Sequence, residues 1–154
     1  SCSKNFGLYR ERIGACTLIA ESSHSADLVA SVLAYVVRGI YSMPPAHGAA
    51  IVETILNSQE LTAQWHSELK EMRDRINGNR QLLVDKLKEN GVSRDFNFIT
   101  RQTGMFSFLG ITAEQVQQLQ DDYSIYMVGS SRMSIAGIAN SNVDYLAQSI
   151  AKVL

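Results

Sequence analysis

Apolar positions recur at helical rather than strand spacing along most of this chain. The longest regular pattern starts at Ser58 and runs to about Asn90-Gly91. Within it Leu61, Trp65, Leu69, Met72, Ile76, Leu83 and Leu87 fall three, four or seven apart. That spacing predicts one long amphipathic helix with a continuous apolar stripe. Glu68, Lys70, Glu71, Arg73, Asp74 and Arg75 lie off the stripe and read as a solvated face with i,i+4 pairs. Gly78 lies inside the pattern; it costs about 1 kcal/mol against alanine and marks either a bend between domains or a tolerated position.

Two shorter helices are predicted upstream. Ser22, Ser23 and Ser25 are candidate caps for a helix with Leu28, Val32, Tyr35 and Val36 at helical spacing. It should stop before Pro44-Pro45, because proline disfavours helical geometry in the preceding residue. The stretch from His47 to Ser58 reads as a second helix. Ahead of both, Ala15 to Glu21 is a short apolar run after Gly14, predicted to be a buried strand.

After Gly91 the pattern shortens. Phe96, Phe98 and Ile99, then Met105, Phe106 and Phe108, predict two strands around the Gln102-Thr103-Gly104 turn. Thr112 with Gln115 forms a capping box that opens a helix to about Tyr123. Ile125 to Val128 and Met133 to Ala136 read as strands. The Ser141-Asn-Val-Asp144 segment caps a last helix carrying Val143, Leu146, Ile150 and Leu154. The second half is therefore a complete α+β unit, whereas the first half has much helix and a single strand. That imbalance, and a first residue other than methionine, predict the C-terminal part of a longer protein.

Composition adds little beyond class. With 154 residues, 45% apolar and 19% charged, the chain can build a real core. A net charge of -1 supplies no electrostatic reason to bind nucleic acid. No apolar run approaches the ~20 residues that span a bilayer. Cys2 and Cys16 match no ligand spacing and read as reduced thiols in a cytoplasmic protein. His24, His47 and His66 are far apart and read as structural, so no metal site is predicted.

The chemically dense segment is the first. Lys4 lies among small and polar residues, with Ser1, Ser3, Gly7, Arg12 and Gly14 close by. A lysine amine can condense with an aldehyde, and hydroxyls with an arginine suit a phosphate. Taken alone, these residues also fit an ordinary surface lysine beside serines. The whole run Ser-x-Ser-Lys-Asn-Phe-Gly-Leu-Tyr-x-Glu-Arg-x-Gly from Ser1 to Gly14, however, closely resembles the cofactor-lysine motif of the aspartate and aromatic-amino-acid aminotransferases. Three further blocks resemble the same family in the same order. They are Arg38 with Tyr41-Ser42-Met43-Pro44-Pro45-Ala-His-Gly48, Gly104-Met-Phe-Ser-Phe108, and Ser131-Arg132-Met-Ser-Ile-Ala-Gly137. The resemblance covers essentially the whole chain.

The resemblance implies an α/β, fold-type I, pyridoxal-phosphate-dependent transferase. Residues 1–70 would be the C-terminal end of the large cofactor domain. Residues 71–154 would be the α+β small domain, entered by the long bridging helix. Lys4 would hold pyridoxal 5'-phosphate as an internal aldimine and later move the α-carbon proton. Ser1 and Arg12 would bind the cofactor phosphate. Arg132 would grip the substrate α-carboxylate, Arg38 the distal carboxylate within the partner subunit of a homodimer, and Phe106 would lie near the substrate. The implied reaction passes an amino group between aspartate, or an aromatic amino acid, and 2-oxoglutarate. Three positions depart from the family pattern. Met43 and Ser134 replace the usual asparagines, and Ser131 replaces the glycine before the carboxylate-binding arginine; none of the named groups is lost. Several cofactor contacts of the family belong to an upstream half, so this chain alone is expected to be inactive. The alternative is an inactive fragment that serves only folding or association.

Overall fold

The computed structural model describes Ser1–Leu154. The Ser22 hydroxyl accepts a hydrogen bond from the Ser25 amide (3.1 Å) and opens helix α1, Ser23–Ile40. Helix α2, His47–Asn57, follows the double proline. Helix α3 runs unbroken over Gln59–Glu89, through Gly78. Thr112 and Gln115 form both bonds of a capping box at the start of helix α4, Ala113–Tyr123, which satisfies two otherwise orphaned backbone groups. Helix α5 is Val143–Val153. Strands β1, Phe106–Phe108, and β2, Arg132–Ser134, form one antiparallel pair in which Phe108 faces Arg132 and Phe106 faces Ser134.

The chain divides into two compact units, Ser1–Leu69 and Lys70–Leu154, with the boundary inside α3. The first unit holds an N-terminal loop, α1, α2 and the start of α3. Among its residues only Ser3 and Gly48 are buried. The second unit holds the whole apolar core. Leu83, Val84 and Leu87 of α3 meet Phe96, Ile99, Leu109, Leu119 of α4, Ile135, Ile138, and Ala147 and Ile150 of α5. Each of these side chains other than Ala147 contributes roughly 1.5–3 kcal/mol when fully buried. Polar ties reinforce the α4–α5 packing: Gln115 donates to the Val153 carbonyl (2.6 Å) and the Tyr145 hydroxyl to the Tyr123 carbonyl (2.8 Å).

Several expectations are corrected. Ala15 to Glu21 forms no strand, and Ile19 is 98% exposed. A hydrophobic run becomes a buried strand only where neighbours accept its backbone groups, and this chain places none beside it. Asn97–Arg101 is a 3-10 helix rather than a strand. The Asp95 carboxylate accepts from the Asn97 amide (2.8 Å) and starts the turn. Three residues per turn then stack Phe96 over Ile99 into the core. Ile125 to Val128 alternates in burial, as a strand would, yet has no ladder partner. The predicted Met133–Ala136 strand is shorter: Ile135–Gly137 is a 3-10 turn after β2, and the Ile135 amide donates to the Met105 carbonyl (2.8 Å). Asn142, not Ser141, precedes α5, and its side chain bonds Ala139 and Gly137 instead of capping the helix.

Candidate functional site

Three groups of sequence-marked residues lie in different elements. The first is the loop of residues 1–14. The Cys2 amide donates to the Ile13 carbonyl (2.9 Å) and the Leu8 amide to the Cys2 carbonyl (3.2 Å), so the loop folds back on its own start. The pairing sets Ser1 against Gly14, where an added Cβ would lie 2.8 Å from the Ser1 Cα. Only glycine permits that approach. Ser1 therefore adjoins the Arg12–Gly14 end of the loop. The Ser1 and Ser3 hydroxyls are 2.9 Å apart. Arg12 has a left-handed backbone (φ 51°) and donates from Nη1 to the Tyr9 carbonyl (2.9 Å). Lys4 is exposed, and its Nζ lies 3.8 Å from the centroid of the Tyr9 ring.

Two contacts brace this loop. Trp65 of α3 stacks on Phe6 with centroids 4.4 Å apart, and its Nε1 donates to the Asn5 carbonyl (2.7 Å). Glu11 lies against the start of α2: His47 Nδ1 is 3.1 Å from its carboxylate, and a Cβ on Gly48 would come within 2.7 Å of the Glu11 Cβ. Trp65 reads from the sequence as packing alone. Its hydrogen bond beside Lys4 was not legible, because nothing in the local pattern gives the indole N–H a partner 60 residues away. A primary amine, two hydroxyls and a guanidinium on one loop form a donor set suited to a phosphorylated aldehyde. A guanidinium has five N–H donors, so Arg12 keeps donors for a phosphate beyond its bond to Tyr9.

The second group lies on the exposed face of the β1–β2 pair. Both strands alternate exposed, buried, exposed. Ser107 and Met133 point into the core, while Phe106, Phe108, Arg132 and Ser134 face outward. The register makes Phe106 and Arg132 diagonal neighbours on that face, with the guanidinium carbon 4.9 Å from the Phe106 ring centroid. An open cavity of about 500 Å3 lies there, lined by Arg132, Phe106, Met127, Met133, Tyr145 and Leu146 among others. A cation set in a largely apolar hollow is a natural receptor for a carboxylate, since desolvation strengthens the pairing. Ser131, buried and left-handed (φ 60°), leads into β2; its hydroxyl accepts from the Gly110 amide (3.0 Å).

The third residue, Arg38, stands exposed in the last turn of α1. The structure groups Ser1, Lys4 and Arg12 on one loop, groups Phe106 and Arg132 on one sheet face, and places Arg38 on a helix, α1. Three of the four non-glycine residues with positive φ are Arg12, Ser42 and Ser131. All three lie in the segments the motifs mark. Such backbone costs roughly 1–3 kcal/mol per residue and persists where surroundings enforce it, often at functional sites.

Comparison with known proteins adds an independent line. The family model described as aminotransferase class I and II matches residues 1–150. The chain is 49% identical over 154 residues to the aspartate aminotransferase of Haemophilus influenzae, covering all of this chain and 39% of that protein. It is 50% identical over 153 residues to the mitochondrial aspartate aminotransferase of Dictyostelium discoideum, covering 99% of this chain and 36% of that protein. Among solved structures, it is similar to an aromatic-amino-acid aminotransferase from Burkholderia pseudomallei covalently bound to pyridoxal phosphate. That match has a TM-score of 0.88 and 48% identity, covering all of this chain and 39% of that one. A mitochondrial aspartate aminotransferase from Trypanosoma brucei matches with TM-score 0.88 and 42% identity, covering 99% of this chain and 40% of that one. The chain thus spans about 39% of the length of the first of these curated relatives.

Proposed function

The chain belongs to the class I and II aminotransferase family, with the fold of the matching portion of the fold-type I enzymes, and from that premise we propose that the full-length protein is a pyridoxal-phosphate-dependent aspartate or aromatic-amino-acid aminotransferase. Its amino acceptor would be 2-oxoglutarate. The loop of residues 1–14 carries the proposal, because it bears an amine, hydroxyls and a guanidinium on one short folded-back segment. Pyridoxal 5'-phosphate, when bound, supplies the electron sink for chemistry at the substrate α-carbon.

The chain's own residues then have separate tasks. Lys4 would hold the cofactor aldehyde through its Nζ, and its amine would serve as the base for the proton at the substrate α-carbon. Ser1 and Arg12 bind the phosphate. Arg132 grips the α-carboxylate in bidentate fashion, with Phe106 beside it. Arg38 binds a distal carboxylate from the partner subunit of a homodimer, and two arginines together select a dicarboxylate. In this reading Ser1–Leu69 ends the large cofactor domain and Lys70–Leu154 forms the small domain. The two free cysteines are in keeping with a cytoplasmic setting. No helix is long and apolar enough to cross a membrane.

The test is to add pyridoxal phosphate, reduce with borohydride, and locate the adduct by peptide mass. An adduct confined to Lys4 supports the assignment. Labelling spread over several lysines of the full-length protein removes it. Catalytic efficiency for aspartate against phenylalanine then separates the two substrate preferences.

A further inference from the structure

We propose that Arg80 is a positioning residue for carboxylate recognition: it holds β1 from the side opposite Phe106 and so sets the orientation in which Arg132 presents its guanidinium. The inference rests on the reading of Arg132 as the carboxylate clamp.

Arg80 of α3 is only 1% exposed. No carboxylate pairs with it. Its terminal nitrogens donate instead to one stretch of chain. Nη1 reaches the Ile99 carbonyl (3.2 Å) and the Ser107 hydroxyl, and Nη2 reaches the carbonyls of Gly104 (2.6 Å) and Phe106 (3.1 Å). Burial lowers the pKa of this guanidinium, yet arginine stays charged across the working range. A buried cation without a counter-ion is an expensive way to fill space, and a leucine or methionine would fill it without that penalty. What the guanidinium adds is geometry. Its planar fork fixes several acceptors at once, and here those acceptors are the backbone on either side of Met105 and the inward face of β1.

Strand alternation transmits that hold to the site. Ser107 points inward to Arg80, so Phe106 and Phe108 point outward. Arg132 faces Phe108 across the ladder and sits over Phe106. A rotation of β1 would therefore move the aromatic surface from beneath the Arg132 guanidinium. The same helix also holds the chain leaving β2. Asn79 donates to the carbonyls of Ile135 (3.2 Å) and Ile138 (2.9 Å), and Arg75 to those of Ala136 and Ile138 (3.1 Å each). Both strands are thus pinned to α3 through backbone acceptors.

A double-mutant cycle in the cofactor-loaded, full-length protein tests this, with succinate as an unreactive dicarboxylate probe. Arg80→Lys, which keeps the charge and loses the fork, should weaken succinate about tenfold. It should raise KM for aspartate in step while kcat stays within about twofold. In an Arg132→Leu background the same change should alter succinate affinity less than about twofold. An equal loss in both backgrounds, or no loss beside an intact Arg132, overturns the proposal. Should Arg80→Lys fail to fold, Ser107→Ala removes one acceptor and should give the same coupling at about threefold; an additive Ser107→Ala effect overturns it equally. If Arg132→Leu alone leaves succinate affinity unchanged, the reading of Arg132 itself has failed, an outcome distinct from failure at Arg80.

Discussion

Helices α1 and α5 are both amphipathic, but they end in different surroundings. Over 18 residues α1 buries none of its side chains, and Leu28, Val32, Tyr35 and Ile40 are each more than half exposed. Over 11 residues α5 buries Val143, Ala147, Ile150 and Val153. The difference between the units is supply of a second apolar face. Around α5 the chain provides α4, the end of α3 and the β1–β2 pair; around α1 it provides no such enclosure. An apolar stripe directs a helix to bury one side, but burial needs a complementary surface.

The comparison bears on the site as well. Arg132 and Phe106 stand on strands whose inner face is packed into a core, with β1 hydrogen-bonded to Arg80. The Lys4 loop has no core beneath it. It is held by local pairing between Cys2 and Ile13 and by the contacts of Trp65 and Glu11.

The strongest way to break the contrast is to separate the units. A Lys70–Leu154 fragment should unfold cooperatively in calorimetry, because it contains every buried apolar side chain. Residues 1–69 alone should show no cooperative heat peak. A cooperative transition in the latter would mean its exposed faces find cover among themselves. Core truncation should give the next largest effect. Leu119→Ala, at a site with 0% exposure, should lower stability by about 2–5 kcal/mol in urea titration. Val32→Ala, at 60% exposure, should stay within about 0.5 kcal/mol.

The smallest expected effect is electrostatic and belongs to the second unit. The hydrogen bond from the Asn97 amide holds the Asp95 carboxyl below its ordinary value. A lowered folded-state pKa means stability that is present above the unfolded value, about 3.9, and is lost as pH falls through the folded one. Denaturation midpoints followed from pH 6 downward should therefore drop less steeply in Asp95→Asn than in the parent. A parallel pair of curves would remove Asp95 from the account.

Much was legible before any coordinates. The helices followed from 3.6-residue periodicity, the Ser22 and Thr112 caps from side chains that bond to nearby amides, and the family from four motifs in family order. These are local or near-local signals. The strand errors share one feature: each concerned a short apolar run whose form depends on distant partners. Ala15–Glu21, Phe96–Ile99 and Ile125–Val128 all resemble strands in isolation, yet only Phe106–Phe108 and Arg132–Ser134 meet each other in a ladder. Arg80 was missed for a related reason. In the sequence it is one basic residue near the many charges of α3, and only the fold reveals that it is buried against Gly104, Phe106 and Ser107.

The sequence by itself determined the family and the helices, because those depend on residue type and short spacing. Only the tertiary structure decided which apolar runs pair as strands, which half of the chain has an interior, and which side of β1 meets Arg80 or Arg132. Those outcomes depend on contacts between residues far apart in the chain, where partner geometry and burial outweigh local preference.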